Sequence, residues 1–163
     1  MKRISVTKCS DVSLQVATDV LSRRKLKYME LYKNQEWEEC AKFYTEDAEI
    51  QPYDGPVIKG RDGVAAYEKH FREDNGIAEL VLDADMTYLT LEDAMEKDEC
   101  PDVDIKDLDN GYSYFSQHGP FKALDKKGRV VQEGEHWEIW KMNKEDPTDA
   151  KIWIQEFHDK DNH

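Results

Sequence analysis

Residues 43–71, FYTEDAEIQPYDGPVIKGRDGVAAYEKHF, carry the clearest structural signal in the chain. Its central Asp54-Gly55 pair is typical of β-hairpin turns, so a small hairpin is predicted with strands at 49–51 and 57–59. The apolar residues that follow recur at helical spacing and predict a helix over 61–74. The stretch therefore combines the end of one helix, a hairpin and the start of another helix.

Two further helices are predicted before this stretch. The first is capped by Ser10 or Ser13 and reaches about residue 34. Its apolar face carries residues at helical spacing, namely Ala17, Leu21, Tyr28 and Tyr32. The second covers 36–44 and has a similar face, formed by Trp37, Cys40, Ala41 and Tyr44. Both faces should pack on a sheet.

After Gly76, which supplies a left-handed helix end, the apolar pattern alternates and predicts strands. Four strands are expected, at 80–86, 112–124, 130–142 and 151–158. Gly119-Pro120 indicates a bulge or bend within the second of them. Three helices followed by an antiparallel meander define an α+β domain.

Composition and charge narrow the class of protein. The chain has 163 residues and 39% hydrophobic residues, enough for one domain with a substantial core. A net charge of −13 argues against nucleic-acid binding, because phosphate contacts require clustered Lys and Arg. The sequence shows neither a signal peptide nor a membrane-spanning stretch, so we expect a soluble, cytoplasmic protein that does not bind membranes.

Residues 92–109 carry nine carboxylates. No register supplies the Gly and closing Glu of an EF-hand, so a solvated, mobile loop is favoured over a calcium site. The three cysteines have no close spacing and suggest neither disulfides nor a zinc site. No metal or organic cofactor is expected.

Residues 43–71 resemble the nuclear transport factor 2-like and SnoaL-like superfamily, which includes ketosteroid isomerase, scytalone dehydratase and polyketide cyclases. The resemblance covers 16–158, leaving tails at 1–15 and 159–163. It implies three N-terminal helices packed on a strongly curved, mostly antiparallel sheet. This architecture, the cystatin-like cone or α+β barrel, has an internal pocket. The function therefore depends on which residues line the pocket.

The resemblance also suggests three catalytic residues. Tyr28 lies where ketosteroid isomerase-like proteins place an oxyanion-hole tyrosine, and Glu138 lies near the position of the protonated acid that completes the hole. A carboxyl group buried in an apolar pocket has a raised pKa and can donate a hydrogen bond. His136, which shares a strand face with Glu138, is the candidate acid or base, and the alternative is that either residue faces solvent across an exposed sheet. Gln51 replaces the isomerase base, and an amide cannot abstract a proton.

Several other residues are expected to bind the ligand. Trp140 continues the face of His136 and Glu138, and the resemblance places Trp153, Gln155 and Phe157 of the last strand toward the pocket. The predicted ligand-binding residues are Gln51, Trp140, Gln155 and Phe157. For each of these residues the alternative is a purely structural role, because aromatic residues at strand spacing usually pack in a core or an interface.

The resemblance implies a protein that binds a small hydrophobic molecule. A catalytic version would be an isomerase, dehydratase or cyclase that needs no organic cofactor. The alternative is a non-catalytic interaction or oligomerisation module, like nuclear transport factor 2 or a kinase association domain. In either case a homodimer through the sheet is expected, because the exposed aromatic strand faces need a cover.

Overall fold

The computed structural model describes residues 12–52, 54–82 and 88–159. The helices are α1 (Leu14–Lys33), α2 (Trp37–Ala41), α3 (Gly60–Asn75) and α4 (Leu91–Glu96), with a 3-10 turn at Ile105–Asp107. The strands are β1 (Tyr44–Gln51), β2 (Ile58–Lys59), β3 (Glu79–Leu82), β4 (Tyr88–Thr90), β5 (Tyr112–Leu124), β6 (Val130–Asn143) and β7 (Ala150–Asp159). The tails at 1–11 and 160–163, the hairpin residue Tyr53 and the predicted strand end at 83–86 lie outside the described residues.

The helix ends follow local chemistry. The Ser13 hydroxyl accepts a hydrogen bond from the Val16 amide, so Ser13 is the N-cap of α1. Gly76 ends α3 with a φ of 65°, the left-handed conformation that glycine adopts without strain. The prediction for α2 was too long, because Tyr44 begins β1 and does not belong to the helix.

The sheet is mixed and open, in the order β2-β1-β7-β6-β5-β3, and β4 pairs with β5 beside β3. β5, β6 and β7 form the predicted antiparallel meander. β1 pairs in parallel with β7, and this pairing joins the β1–β2 hairpin to the edge of the meander. The fold is α+β, as predicted, and has one more helix than expected.

One face of the sheet, here called the inner face, packs against α1, α2 and α3. On β5 and β6 it carries residues that alternate along each strand, Ser113, Phe115, Gln117, Gly119 and Phe121 opposite Met142, Trp140, Glu138, His136 and Gly134. The main apolar core lies between this face and the helices and includes Leu21, Tyr32, Phe115 and Trp140, all fully buried. Polar residues occupy the same inner face at Gln117, His136, Glu138 and Gln155.

The opposite, outer face is partly covered by the acidic segment 89–108. Leu91, Ala94 and Cys100 of this segment are buried against Tyr114 and Ile139 of the sheet. The prediction of a solvated loop over 92–109 was therefore wrong. The segment exposes many of its carboxylates while its scattered apolar side chains form a second core.

A bulge in β7 places Trp153 on the outer face. Ile139 of β6 pairs with Ile154, whereas the next residue, Trp140, pairs with Ile152, so Trp153 is the extra residue. Its ring lies 5.6 Å from that of Tyr114 in the outer cluster. The expectation that Trp153 faces the pocket was wrong, because the bulge reverses its direction relative to Gln155.

No helix in the described parts of the chain combines the length and the apolar character required to cross a membrane.

Candidate functional site

An apolar pocket lies between α3 and the ends of the long strands, and we call it the α3 pocket. Its lining residues are Tyr67, Glu68, Phe71, Leu80, Leu82, Phe121, Gln132 and Phe157. The Tyr67 and Phe71 rings stack at 5.8 Å, and Phe121 meets Phe157 edge to face at 5.5 Å. The free volume of about 30 Å³ is small, enough for roughly one water molecule.

Glu68 is the ionisable group of this pocket. It lies on α3, one turn after Val64, and is 4% exposed. The Tyr28 hydroxyl of α1 donates a hydrogen bond of 2.5 Å to Oε1 of Glu68. Burial raises the pKa of Glu68 to about 7, although the Tyr28 bond and the Lys25 charge oppose the shift. Such a carboxyl can both give and take a proton near neutral pH.

The Tyr28 hydroxyl therefore donates to Glu68, whereas Glu138, its predicted partner, pairs with Lys25. Burial, followed by the charge of Glu68, holds the pKa of Tyr28 well above its ordinary value. The hydroxyl stays protonated and serves as a donor. The Tyr28 ring packs edge to face on Phe43 and Tyr44, which fixes its orientation in the core.

Glu138 forms a buried ion pair with Lys25, which lies three residues before Tyr28 on the same helix. The Glu138 side chain is fully buried and also accepts hydrogen bonds from Trp140 Nε1 at 3.0 Å and from Gln155 Nε2 at 2.7 Å. Gln155 in turn accepts a bond of 2.6 Å from the Tyr44 hydroxyl. A chain of polar groups thus crosses the inner face.

Glu138 is an acceptor, which overturns its predicted role as a protonated donor. Burial alone would raise its pKa, but the Lys25 ammonium and then His136 hold the pKa below its ordinary value. Burial also lowers the pKa of Lys25, while Glu138 opposes that shift. We assign the charged pair, because both carboxyl oxygens accept from groups that donate, Oε1 from Trp140 and Lys25 and Oε2 from Gln155, which leaves no acceptor for a carboxyl proton.

The other predicted site residues divide between the pocket and the core. Phe157 lines the α3 pocket. His136 is 1% exposed, and its Nδ1 lies 3.5 Å from Oε2 of Glu138. Burial, then Lys25, lowers the pKa of His136, so the ring is neutral at pH 7. Trp140 and Gln155 orient Glu138 from within the core.

Gln51 has a local role in the hairpin. Its Nε2 donates to the carbonyl oxygens of Pro52 at 2.9 Å and of Gly55 at 3.2 Å. The side chain thereby closes the turn after β1. Across the described residues, no group of three His, Cys, Asp or Glu side chains is placed to hold a metal ion.

Lys25 and Glu68 were not among the predicted site residues, although the position of each in the sequence indicates a buried charge. Lys25 is four residues after Leu21 and three before Tyr28, so it lies on the predicted apolar face of α1. Glu68 follows Val64 by four residues and precedes Phe71 by three, on the apolar face of α3. A charged residue on an apolar face is a candidate for a buried, partnered charge.

Comparison with known proteins is informative at the level of the fold. No protein-family model matches the sequence, and no curated protein matches it significantly. One similar solved structure is a nuclear transport factor 2-like protein with a cystatin-like fold from Novosphingobium aromaticivorans. It shares 12% identity at a TM-score of 0.60, covering 90% of this chain and 83% of that one.

Two further solved structures represent different roles of the same fold. A candidate scytalone dehydratase from Novosphingobium aromaticivorans has 13% identity and a TM-score of 0.55, covering 90% of this chain and 85% of that one. A candidate calcium/calmodulin-dependent protein kinase II association domain from Xanthomonas campestris has 12% identity and a TM-score of 0.55, with coverages of 88% and 87%. The chain therefore has a cystatin-like fold, similar to that of these solved structures.

Proposed function

We propose that this protein binds a small, neutral, hydrophobic molecule in the α3 pocket and that Glu68 exchanges a proton with it. The observation that carries the proposal is the Glu68 carboxyl, buried among the aromatic side chains of the pocket and hydrogen-bonded by Tyr28, where burial raises its pKa to about 7. Groups with strongly shifted pKa values in apolar pockets are typical of acid–base sites. The reaction class would be isomerisation, dehydration or cyclisation without an organic cofactor.

The chemistry requires Glu68 to alternate between two forms. As a carboxylate it takes a proton from an acidic carbon or hydroxyl of the ligand, and as a carboxylic acid it returns one. Tyr28 supports the carboxylate through its hydrogen bond and thereby keeps the pKa near neutrality. Tyr28 is a positioning residue in this scheme, because its hydroxyl is directed at Glu68.

The size of the pocket sets a condition on binding. About 30 Å³ cannot hold an aromatic ring, so the ligand enters only when Tyr67, Phe71 or Phe157 turns outward. These three side chains are partly exposed, and their movement does not require the main core to open. The energy of ring displacement should make binding of small probes weak.

Binding of 4-methylphenol, followed by NMR chemical shifts of the full chain, tests the proposal. The probe stays neutral across the pH range because its hydroxyl ionises near pH 10, like that of tyrosine. Shifts should concentrate at the α3 pocket, and affinity should fall as the pH rises through about 7, because an ionised Glu68 resists being covered by an apolar ring.

Glu68→Gln should remove this pH dependence, and Glu73→Gln provides the matched control, since Glu73 is exposed on the same helix. Absence of shifts at the pocket at millimolar probe would contradict the proposal. Binding with the same pH dependence in Glu68→Gln would contradict the role of Glu68.

A second candidate function is an interaction or oligomerisation module. It is favoured by the filled inner face, where Trp140, Phe115 and the Lys25–Glu138 pair occupy the space that a larger ligand would need. A homodimer is expected for an oligomerisation module and is also compatible with the binding of a small hydrophobic molecule. Failure of every probe to bind, together with a stable dimer in solution, would favour the module.

A further inference from the structure

The inner face continues below the α3 pocket as a layer of polar side chains. Phe157 of the pocket lies opposite His136 on the neighbouring strand, and His136 lies opposite Gly119 on its other side. Gln117 is two residues from Gly119 on the same face. We call Gln117 and His136 the polar layer. Each is 1% exposed.

Both members of the polar layer have polar atoms without partners among the described residues. The Gln117 amide uses neither Nε2 nor Oε1, and Nε2 of His136 has no hydrogen-bond partner, whereas Nδ1 lies 3.5 Å from Oε2 of Glu138. Nearly all buried polar atoms in folded proteins are paired with protein or with water, and an unpaired one is costly. Two adjacent buried side chains with unused hydrogen-bond donors and acceptors therefore indicate that another polar group occupies this layer.

The geometry defines what that group must offer. His136 Nδ1 faces the Glu138 carboxylate at 3.5 Å, so the proton of the neutral ring is favoured on Nδ1. Nε2 is then an acceptor and requires a donor. A Cβ atom on Gly119 would lie 3.0 Å from Gln117 Nε2, so the Gln117 amide lies over Gly119, beside His136. Glycine leaves the room that the amide occupies.

We propose that the polar layer is a subsite for a hydroxyl group of the ligand. The ligand's O–H donates to His136 Nε2, and its oxygen accepts from Gln117 Nε2, while the apolar ring occupies the α3 pocket. The substrate class is therefore small neutral phenols or alcohols that carry an apolar ring. This inference rests on the proposed function, because it assumes that a ligand enters through the α3 pocket.

Other head groups fit this layer poorly. A ketone or an ether can accept from Gln117 but leaves His136 Nε2 without a donor. A carboxylate has no proton to donate and would be repelled by ionised Glu138, which lies next to His136. A hydroxyl both donates and accepts, which matches the two sides of the layer.

The test compares three probes of similar shape by NMR titration of the full chain: 4-methylphenol, 4-methylanisole and toluene. 4-Methylphenol should bind about 10-fold more tightly than 4-methylanisole, because the ether lacks the O–H that donates to His136 Nε2. Its advantage over toluene should be larger, because toluene forms neither hydrogen bond. His136→Phe, with a ring of similar size, should remove the preference over 4-methylanisole, whereas Gln117→Leu should weaken the binding of both oxygen-containing probes and leave toluene affinity nearly unchanged.

Ser116→Ala is the matched control, because Ser116 is equally buried but lies on the outer face. It should preserve all three affinities. Equal affinity for the three probes in the wild type would overturn the hydroxyl subsite while leaving the proposed function standing. A preference for 4-methylphenol over 4-methylanisole that survives His136→Phe would also overturn it, as would an affinity for 4-methylphenol that Gln117→Leu leaves unchanged. Absence of binding by every probe would overturn the subsite together with the proposed function.

Discussion

The hydroxyl of Tyr28 and that of Tyr32 lie on the same helix and have different surroundings. Tyr28 donates to the buried carboxyl of Glu68, whereas the Tyr32 hydroxyl has no hydrogen-bond partner among the described residues. A hydroxyl with a buried partner should stabilise the fold, and one without a partner should not. The two residues therefore form a natural pair for measuring the bond.

Tyr28→Phe should lower the free energy of unfolding by about 1–3 kcal/mol, because it leaves the Glu68 carboxyl without its donor. The loss should be larger above pH 7, where Glu68 is ionised and depends more on the bond. Tyr32→Phe should change stability little. Urea unfolding at about pH 5 and pH 8 measures both. Equal losses in the two variants would show that the Tyr28 bond contributes nothing specific.

Lys25→Met should destabilise the protein by about 3–5 kcal/mol, because it leaves the Glu138 carboxylate buried without its cation. Adding Glu138→Gln to Lys25→Met should recover part of this loss, since no charge then remains to be paired. Lys27→Met is the control: Lys27 pairs with Glu30 on the surface and should contribute little. Strict additivity of the two changes would contradict a coupled pair.

At the residue level the sequence predicted which face of a helix or strand a side chain lies on better than it predicted which residue that side chain contacts. Tyr28 is buried on the apolar face of α1 that the helical period indicated, and His136, Glu138 and Trp140 share one strand face, as the strand period indicated; the structure shows that this face is buried. Glu68 as the partner of Tyr28 could not be predicted, because that contact depends on the distance between α1 and α3. Periodicity gives the direction of a side chain and carries no information on which other helix it meets.

At the level of elements, β5 was predicted with its observed ends, whereas the structure of segment 89–108, which precedes it, was not predicted. Its charges dominate the sequence pattern, and its buried residues, including Leu91 and Cys100, have no regular spacing. The β7 bulge at Trp153 was missed for a different reason. A bulge changes the strand period at one residue, and neither Gly nor Pro marks its position.

Leu91→Ala should lower stability by about 2–5 kcal/mol, because Leu91 is fully buried between α4 and the outer face of the sheet. Ile105→Ala, in the same segment but 53% exposed, should stay within about 0.5 kcal/mol of the wild type. Urea unfolding separates the two outcomes. A negligible effect of Leu91→Ala would restore the picture of a solvated acidic loop.

For the whole molecule, a homodimer remains our proposal, although segment 89–108 leaves less of the outer face available than the sequence suggested. The exposed remainder includes Val130 and Val131, and Trp137 lies between His118 and His158 with ring distances of 5.9 and 5.0 Å. Such an aromatic row across three strands is suited to a two-fold contact.

Sedimentation of the full chain at micromolar concentration should give about twice the mass of 19.1 kDa. Trp137→Lys should shift the equilibrium toward the monomer, because a charge in the centre of the interface lacks a partner. Lys69→Met, at an exposed position of α3 on the other side of the sheet, should leave the mass unchanged. A wild-type mass near that of one chain would exclude this interface.

The protonation of Glu68 can be measured from its carboxyl carbon resonance, followed by NMR of the full chain from about pH 4 to about pH 9. Glu68→Gln assigns the resonance by removing it. We expect a midpoint near pH 7, because burial favours the neutral form, and a higher midpoint when 4-methylphenol is bound. A midpoint near 4.5, the ordinary value for glutamate, would contradict both the buried acid and the proton transfer assigned to it.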